Sequence, residues 1–456
     1  MLKRMNKDMT SGNIGQAILY FVIPLALGNI FQQLYNITDT YILGKYVSSN
    51  ALAAVGSLNS LLYIFNSVIF GLRSGVSVVA STYFGERRMD KVKTTIQTGF
   101  SMLFVVGILS TLIGVLGGRL IIRFMKTPEV IAEDAILYLK IYSGGLIFLF
   151  VFNLCTAIFQ SLGDSIIPFL ILCVSTVLNI VLDILFVCIF RMEVRGAAYA
   201  TVIAELILAV LAVSILLIKL KTLKVNQKTV WFDYNEFSGI CRVGLPSVLQ
   251  QGILAIGVFT VQFLINQCGP DVIAGNSIAS RIEGIATMPI VTIGEAMSVF
   301  TAQNIGAGKR ERISRGIRLA IRFDMGLVFC MFLIIATSGR WLIGLFMVGS
   351  NEAITQAGME YLYAMTTGAL FMGVAHNLNG AMRGARQMKG FLLSYLTNII
   401  SRVILSMMLF SIWGRIGIWI SLPLSIFFGM LVAIKYYFKD VYYVKTGKVV
   451  PATVWK

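Results

Sequence analysis

Apolar runs long enough to cross a bilayer follow one another along nearly the whole chain, separated by short polar stretches. A membrane-spanning helix needs roughly 20 predominantly apolar residues. The pattern predicts twelve spans, near 14–43, 51–84, 92–118, 134–160, 166–190, 196–219, 238–267, 273–304, 314–338, 355–383, 389–411 and 416–439. The strict alternation of a membrane β-barrel strand is absent, so an all-α integral membrane fold is expected. The first run follows Lys3, Arg4 and Lys7, is interrupted by Pro24 and has no small-residue cleavage site after it. It reads as a retained span, not a removable signal.

The pattern also repeats. Phe21-Val-Ile-Pro24 matches Val243-Gly-Leu-Pro246, and Ala53-Ala-Val-Gly-Ser57 corresponds to Ala274-Gly-Asn-Ser-Ile278. Tyr83-Phe-Gly85 lies opposite Asn304-Ile-Gly306, Tyr138-Leu139 opposite Tyr361-Leu362, and Ala157-Ile-Phe-Gln-Ser161 opposite Gly380-Ala-Met-Arg-Gly384. Co-linear matches at an almost constant offset mark an internal duplication. Six spans per half is an even number, so the halves are expected in the same orientation. They would form two six-helix lobes related by a pseudo-two-fold axis along the membrane normal. The expected division is an N-lobe over 1–218 (helices 1–6), a cytoplasmic linker over 219–237 and a C-lobe over 238–456 (helices 7–12).

Composition supports the membrane reading: 57% of residues are hydrophobic and 13% charged, which excludes an ordinary soluble domain. The net charge of +17 would suit nucleic acid, but its placement argues for topology instead. With the N-terminus in the cytoplasm, 26 of the 38 Lys and Arg fall on the cytoplasmic side, 9 outside and 3 (Arg73, Arg281, Arg402) within spans. That asymmetry puts both termini in the cytoplasm. The six cysteines have no CxxC spacing and lie in or beside apolar segments, where they read as small core residues.

Against this background the intramembrane acids stand out. Asp39, Asp183 and Glu205 fall inside spans, with Asn179 one turn before Asp183. A carboxylate in hydrocarbon costs several kcal/mol or more and persists when paired, hydrogen-bonded or used. Counting about 1.5 Å per residue places Asp39, Asp183 and Thr201 at similar depth on three different helices. Carboxylates, an amide carbonyl and a hydroxyl are hard oxygen ligands suited to a small cation, and two such acids would titrate as a coupled pair. Asp183 as a helix-packing carboxylate, with Asp39 a lip residue, is the competing reading.

Several motifs resemble the multidrug and toxic compound extrusion transporters. They are Asp8-Met-Thr with Gly12, Ile23-Pro24, Phe31-Gln-Gln-Leu-Tyr35-Asn-Ile-Thr-Asp39, Leu52-Ala-Ala-Val-Gly56, Gln160-Ser-Leu-Gly-Asp164, Asn179-Ile-Val-Leu-Asp183, Gly196-Ala-Ala-Tyr-Ala-Thr201 and Gln303-Asn-Ile-Gly-Ala-Gly308. The resemblance runs from about residue 8 to 440. It implies a twelve-helix, V-shaped bacterial antiporter of the cytoplasmic membrane that exports amphiphilic organic cations against inward Na+ or H+ flow. It further implies an N-lobe cation site of Asp39, Asn179, Asp183 and Thr201, with Tyr138 joined to it; Tyr35, Asn153 and Glu205 are further candidates for the surrounding network. The coupling ion is then the one inorganic ligand, with no enzymatic cofactor. The partners are the lipid bilayer and small organic cations, with no nucleic acid, and the chain is expected to act as a monomer.

The second half departs from some branches of that family, which carry an acidic pair on the seventh and tenth helices. Here the seventh has no carboxylate and the tenth has His376, the only histidine, at the position equivalent to Asn153. Glu283 and Arg402 fall near mid-membrane and are expected to pair with each other or with a close polar neighbour. An ATP-driven pump is disfavoured because Gly308-Lys309 is followed by Arg310 and lacks the GxxxxGK[ST] pattern. A lipid-linked saccharide flippase would need several cations in its cleft to hold a pyrophosphate. An intramembrane enzyme would need a nucleophile with its base, or a metal cluster.

Overall fold

The computed structural model describes residues 8–222, 230–347 and 351–442, and among them there is no strand. The helices are α1 (Ile14–Tyr46), α2 (Ser49–Ser57), α3 (Asn59–Gly85), α4 (Met89–Phe124), α5 (Glu129–Ser161), α6 (Ile166–Asp183) and α7 (Glu193–Thr222). They continue with α8 (Tyr234–Ile265), α9 (Pro270–Gly306), α10 (Arg310–Gly344), α11 (Glu352–Gly384), α12 (Met388–Trp413) and α13 (Arg415–Tyr437). All except the short α2 are long, and eleven are apolar enough to cross a membrane by length and composition. The twelfth long helix, α11, is less apolar because it is built to be approached closely. A Cβ on Gly380 would meet the Gly294 carbonyl at 2.1 Å, and one on Gly384 the Ser298 carbonyl at 2.2 Å. Small residues permit that backbone contact between membrane helices at the expense of hydropathy.

Two expected spans differ in detail. The second, read as one run over 51–84, is broken at Leu58 into α2 and α3. The Ser57 hydroxyl donates to the Ala54 carbonyl at 2.7 Å and competes with the helix ladder just before the break. The fifth ends as an α-helix at Asp183 and continues as a π-helical turn over Ile184–Ile189. The linker expected over 219–237 is shorter as loop: α7 runs through Thr222 and α8 starts at Tyr234, while 223–229 lie outside the described residues.

The duplication is visible in backbone detail. Helix starts recur at offsets of 220 to 223 residues, and α5 and α11 share both ends. Their C-termini close in the same way. Gly163 N–H reaches the Gln160 carbonyl at 2.9 Å, and Arg386 N–H reaches the Arg383 carbonyl at 3.0 Å. Both capping residues are left-handed, Gly163 at φ 79° and Arg386 at φ 59°. A left-handed residue satisfies the last carbonyls and ends a helix abruptly, at low strain for glycine and higher strain for arginine.

The chain packs as two compact units, one holding Ile23–Val248 and the other Met9–Val22 with the residues from Leu249 onward. In the first, α5 is central, packed by α3, α4 and α7, with α6 laid on α7. In the second, α11 is central among α9, α10 and α13, with α12 laid on α13. These units do not divide the chain at 218 and 238. The start of α1 packs in the second unit, where Met9 N–H donates to Gln303 Oε1 at 3.2 Å and Arg312 donates to the Ser11 carbonyl at 2.7 Å. The start of α8 packs in the first, where Glu236, 1% exposed, accepts from Thr95 at 2.9 Å and Tyr83 at 3.1 Å. Each helix changes unit within about two residues of its internal proline, Pro24 or Pro246. Proline removes one ladder hydrogen bond and weakens the helix there.

Candidate cation-binding site

In the first unit the ends of α6 and α7 are tied together before the site begins. Asp164 Oδ1 accepts the free N–H groups of Ile166 and Ile167 at the start of α6, at 3.1 and 3.2 Å. Its Oδ2 accepts Lys219 Nζ from the end of α7 at 2.6 Å, with the carboxylate 1% exposed. A buried, doubly satisfied carboxylate of this kind sets the register of α6 against α7.

That register brings Asn179 and Asp183 on α6 into the interior, both fully buried, with Thr201 on α7 at 2% exposure. From α1, Tyr35 donates its hydroxyl to Thr201 Oγ1 at 3.2 Å. Asp39, one turn further along α1, is close enough to Asp183 for the two carboxylates to feel each other's charge. Tyr138 on α5 lies within electrostatic reach of Asp39, Glu205 and Asp183 together, and stacks on Tyr142 with ring centroids 6.0 Å apart. Asp39, Asp183, Glu205, Tyr35, Tyr138 and Thr201 therefore belong to one cluster, and Asn179 joins it through its shared face with Asp183.

The hydrogen-bond state of the cluster is its distinguishing property. Asp39 Oδ1, both Asp183 oxygens, both amide atoms of Asn179 and Glu205 Oε2 are buried with no hydrogen-bond partner. Buried polar atoms are nearly always paired, and a group left without partners calls for an explanation such as an ion. A cavity of about 70 Å³ opens beside these groups, lined by Gln32, Tyr35, Asn153, Thr201 and Glu205 among others. Asp39, Asn179 and Asp183 lie outside its lining. The cavity thus gives room next to the acids, and Tyr35, Thr201 and Glu205 connect the two. The oxygens fit a small hard cation or a proton: carboxylate, amide carbonyl and hydroxyl, with no thiol or imidazole. The π-helical turn directly after Asp183 is an irregularity of the type that accompanies functional positions in helices.

The second-half candidates lie elsewhere. Glu283 accepts a hydrogen bond from the Tyr361 hydroxyl. No ion pair within 4.0 Å joins it to Arg402 among the described residues, and Arg402 Nε is buried without a hydrogen-bond partner. The phenol satisfies Glu283 because α9 and α11 pack tightly, whereas Arg402 sits on α12. His376 places Nδ1 3.2 Å from the Met372 carbonyl and stacks edge-on against Tyr395. Asn153, its repeat equivalent, donates to the Leu149 carbonyl at 3.0 Å, so both side chains bond one turn back along their own helix. Arg73 Nη2 donates to Gln160 Oε1 at 3.3 Å. All six cysteines are free.

Sequence reasoning missed Asp324 on α10, which is fully buried and accepts from Asn377 Nδ2. Its signal was a carboxylate inside a predicted span. The six basic residues of Lys309–Arg322 just before it made that stretch read as a cytoplasmic approach.

Comparison with known proteins agrees with the geometry. The chain matches the MatE family over residues 24–185 and again over 246–409, once in each half. It is 29% identical over 435 residues to the probable multidrug resistance protein YpnP of Bacillus subtilis, covering 94% of this chain and 96% of that one. It is 22% identical over 411 residues to the multidrug export protein MepA of Staphylococcus saprophyticus, covering 89% of each. Among solved structures, the outward-facing conformation of a multidrug resistance MATE transporter superposes with a TM-score of 0.90 at 21% identity, over 97% of this chain and 99% of that one. A MOP-superfamily transporter from Pyrococcus furiosus gives 0.88 at 20% identity over the same shares. With both halves matched and the twelve-helix, two-lobe fold reproduced, this chain is a multi-pass membrane protein belonging to the MatE family of transporters, which are not enzymes.

Proposed function

We propose that this protein is a secondary antiporter that exports amphiphilic organic cations across the bacterial cytoplasmic membrane, driven by inward Na+ or H+. The observation that carries the reading is the set of buried, partnerless oxygens on Asp39, Asn179, Asp183 and Glu205, beside the Tyr35–Thr201 hydrogen bond. An arriving proton or Na+ would neutralise these acids and give the free oxygens a ligand. Loss of the ion would restore charge repulsion between Asp39 and Asp183. Coupling then requires that ion and cargo prefer different access states, because a ligand shifts an equilibrium only through its differential affinity. The names of the relatives, multidrug resistance and multidrug export proteins, support the cargo class.

In this reading the halves 1–218 and 238–456 act as lobes exchanging access, joined by the stretch 219–237, with both termini in the cytoplasm and the monomer as working unit. The cytoplasmic excess of Lys and Arg supports the orientation. The test is efflux of a fluorescent cationic dye from proteoliposomes of the purified protein, with Na+ and pH gradients imposed separately. Dye movement against its gradient, driven by one ion and lost in Asp183→Asn, is the expected result. Dye movement equal with and without either gradient would remove the antiport mechanism.

A further inference from the structure

Asp324 lies fourteen residues beyond Arg310 on α10, roughly 21 Å along the helix, and is fully buried. Its Oδ2 accepts Asn377 Nδ2 from α11, and the same amide also donates to the Gly373 carbonyl at 2.8 Å. Asp324 Oδ1 and Asn377 Oδ1 are buried with no partner, although both residues are fully enclosed. The neighbouring backbone is close: a Cβ on Gly373 would come within 2.8 Å of the Asp324 Cβ and 3.2 Å of its Oδ2.

Helix packing alone would be served by a neutral amide at this position. A carboxylate with one hydrogen bond in hydrocarbon is costly, so its charge must be neutralised for at least part of the time. A hard metal cation gathers about six or more oxygens. Two free oxygens against a glycine-tight wall do not supply them, whereas a proton needs one. The helices packed against α10 are α9 and α11, whose charged and titratable side chains in this stretch are Glu295, His376 and Arg383. Of these, His376 is engaged with the Met372 carbonyl and Arg383 Nε with Ser298 Oγ at 3.3 Å.

We propose that Asp324, held by Asn377, is a proton-binding site of the second unit, separate from the Asp39–Asp183 cluster and occupied and emptied during transport. On loading, a hydronium O–H bond breaks, the proton bonds to Asp324 Oδ1 and water is released. Oδ2 keeps its hydrogen bond from Asn377 throughout, so either state is held without repacking α10 against α11.

The test uses purified full-length protein carrying His376→Asn, which removes the competing imidazole. Acid-jump titration between about pH 9 and about pH 5 should show Asp324→Asn binding about one proton fewer. Infrared difference spectra over the same range should lose one protonated-carboxyl C=O band. In proteoliposomes, pH-driven dye efflux should fall at least about fivefold in Asp324→Asn. Unchanged proton count and bands, or pH-driven efflux at the parent rate, would overturn the proposal. Should Asp324→Asn fail to fold, Asn377→Ala leaves the acid but removes its donor. The C=O band must then shift, and an unmoved band refutes the site. Asp183→Asn, measured alongside, should leave the Asp324 band in place, so failure of the first-unit reading leaves this result readable.

Discussion

The same places in the two halves carry opposite chemistry. Shifted by 222 residues, Tyr35 and Asp39 of the first half correspond to Gly257 and Val261, Asn179 and Asp183 to Ser401 and Leu405, and Thr201 and Glu205 to Pro423 and Phe427. The backbone repeat is retained, whereas the cluster of partnerless oxygens has no counterpart at the matching positions of the other copy. Where the second half keeps a polar side chain, it is satisfied locally: Ser401 donates to the Thr397 carbonyl at 2.6 Å on its own helix. Its acids found different partners, Glu283 in Tyr361 and Asp324 in Asn377. A duplicated scaffold thus needs one partnerless acid cluster to serve as an ion site, and the other copy is free to fill the equivalent space with apolar packing. Two irregularities beside the cluster also lack a match in the other half, although that half has a π-helical turn of its own over Phe438–Tyr442. The break at Leu58 and the π-helical turn after Asp183 are in the first half, and the matching α9 and α12 are continuous.

The comparison breaks or holds on a graded set of variants. The largest effect is expected for Asp183→Asn, which keeps shape and removes one acid from the partnerless cluster. Gradient-driven efflux should fall at least about a hundredfold with membrane insertion unchanged, measured in proteoliposomes. Retained efflux would make the first-half cluster structural, like Glu283 in the second half. Next is Lys219→Met, which strips the buried partner from Asp164 and should destabilise the first unit by about 3–5 kcal/mol. Thermal unfolding in detergent reads this directly, and an unchanged melting temperature would remove the α6–α7 tie from the account. Tyr35→Phe removes the 3.2 Å bond to Thr201 and should weaken ion-dependent activation by a few-fold, about 1 kcal/mol. Its check is the Na+ or H+ concentration for half-maximal efflux. The smallest effect is expected for Glu283→Gln, which can still accept from Tyr361: efflux should change by less than about twofold. Loss of transport with folding intact would give the second half a working acid at that position.

Much of the architecture was legible in the chain. Long apolar runs report spans because hydrocarbon tolerates few alternatives to a helix. Collinear motifs report the duplication because matching positions at one offset have no other common cause. The acids Asp39, Asp183 and Glu205 stood out because charge in an apolar run is costly. Asp324 did not, since a basic run just before it blurred where the span begins. The partner of Glu283 was not legible either: Tyr361 lies 78 residues away, and periodicity says nothing of which helix faces which. Nor was the exchange of helix ends, by which Met9–Val22 packs in the second unit while the start of α8 packs in the first.

What the sequence by itself determined is therefore the inventory: twelve long helices, their duplication, and most of the few oxygens that lie in the membrane. That follows from the one-dimensional cost of polarity in lipid, paid residue by residue along a helix. Only the tertiary structure decided which of those oxygens are satisfied and which are left open, because hydrogen bonding between helices depends on rotation and register that no linear pattern records. The separation of the partnerless oxygens of Asn179 and Asp183 from Glu283, which accepts from Tyr361, and from Asp324, which accepts from Asn377 through Oδ2 alone, is a property of packing alone.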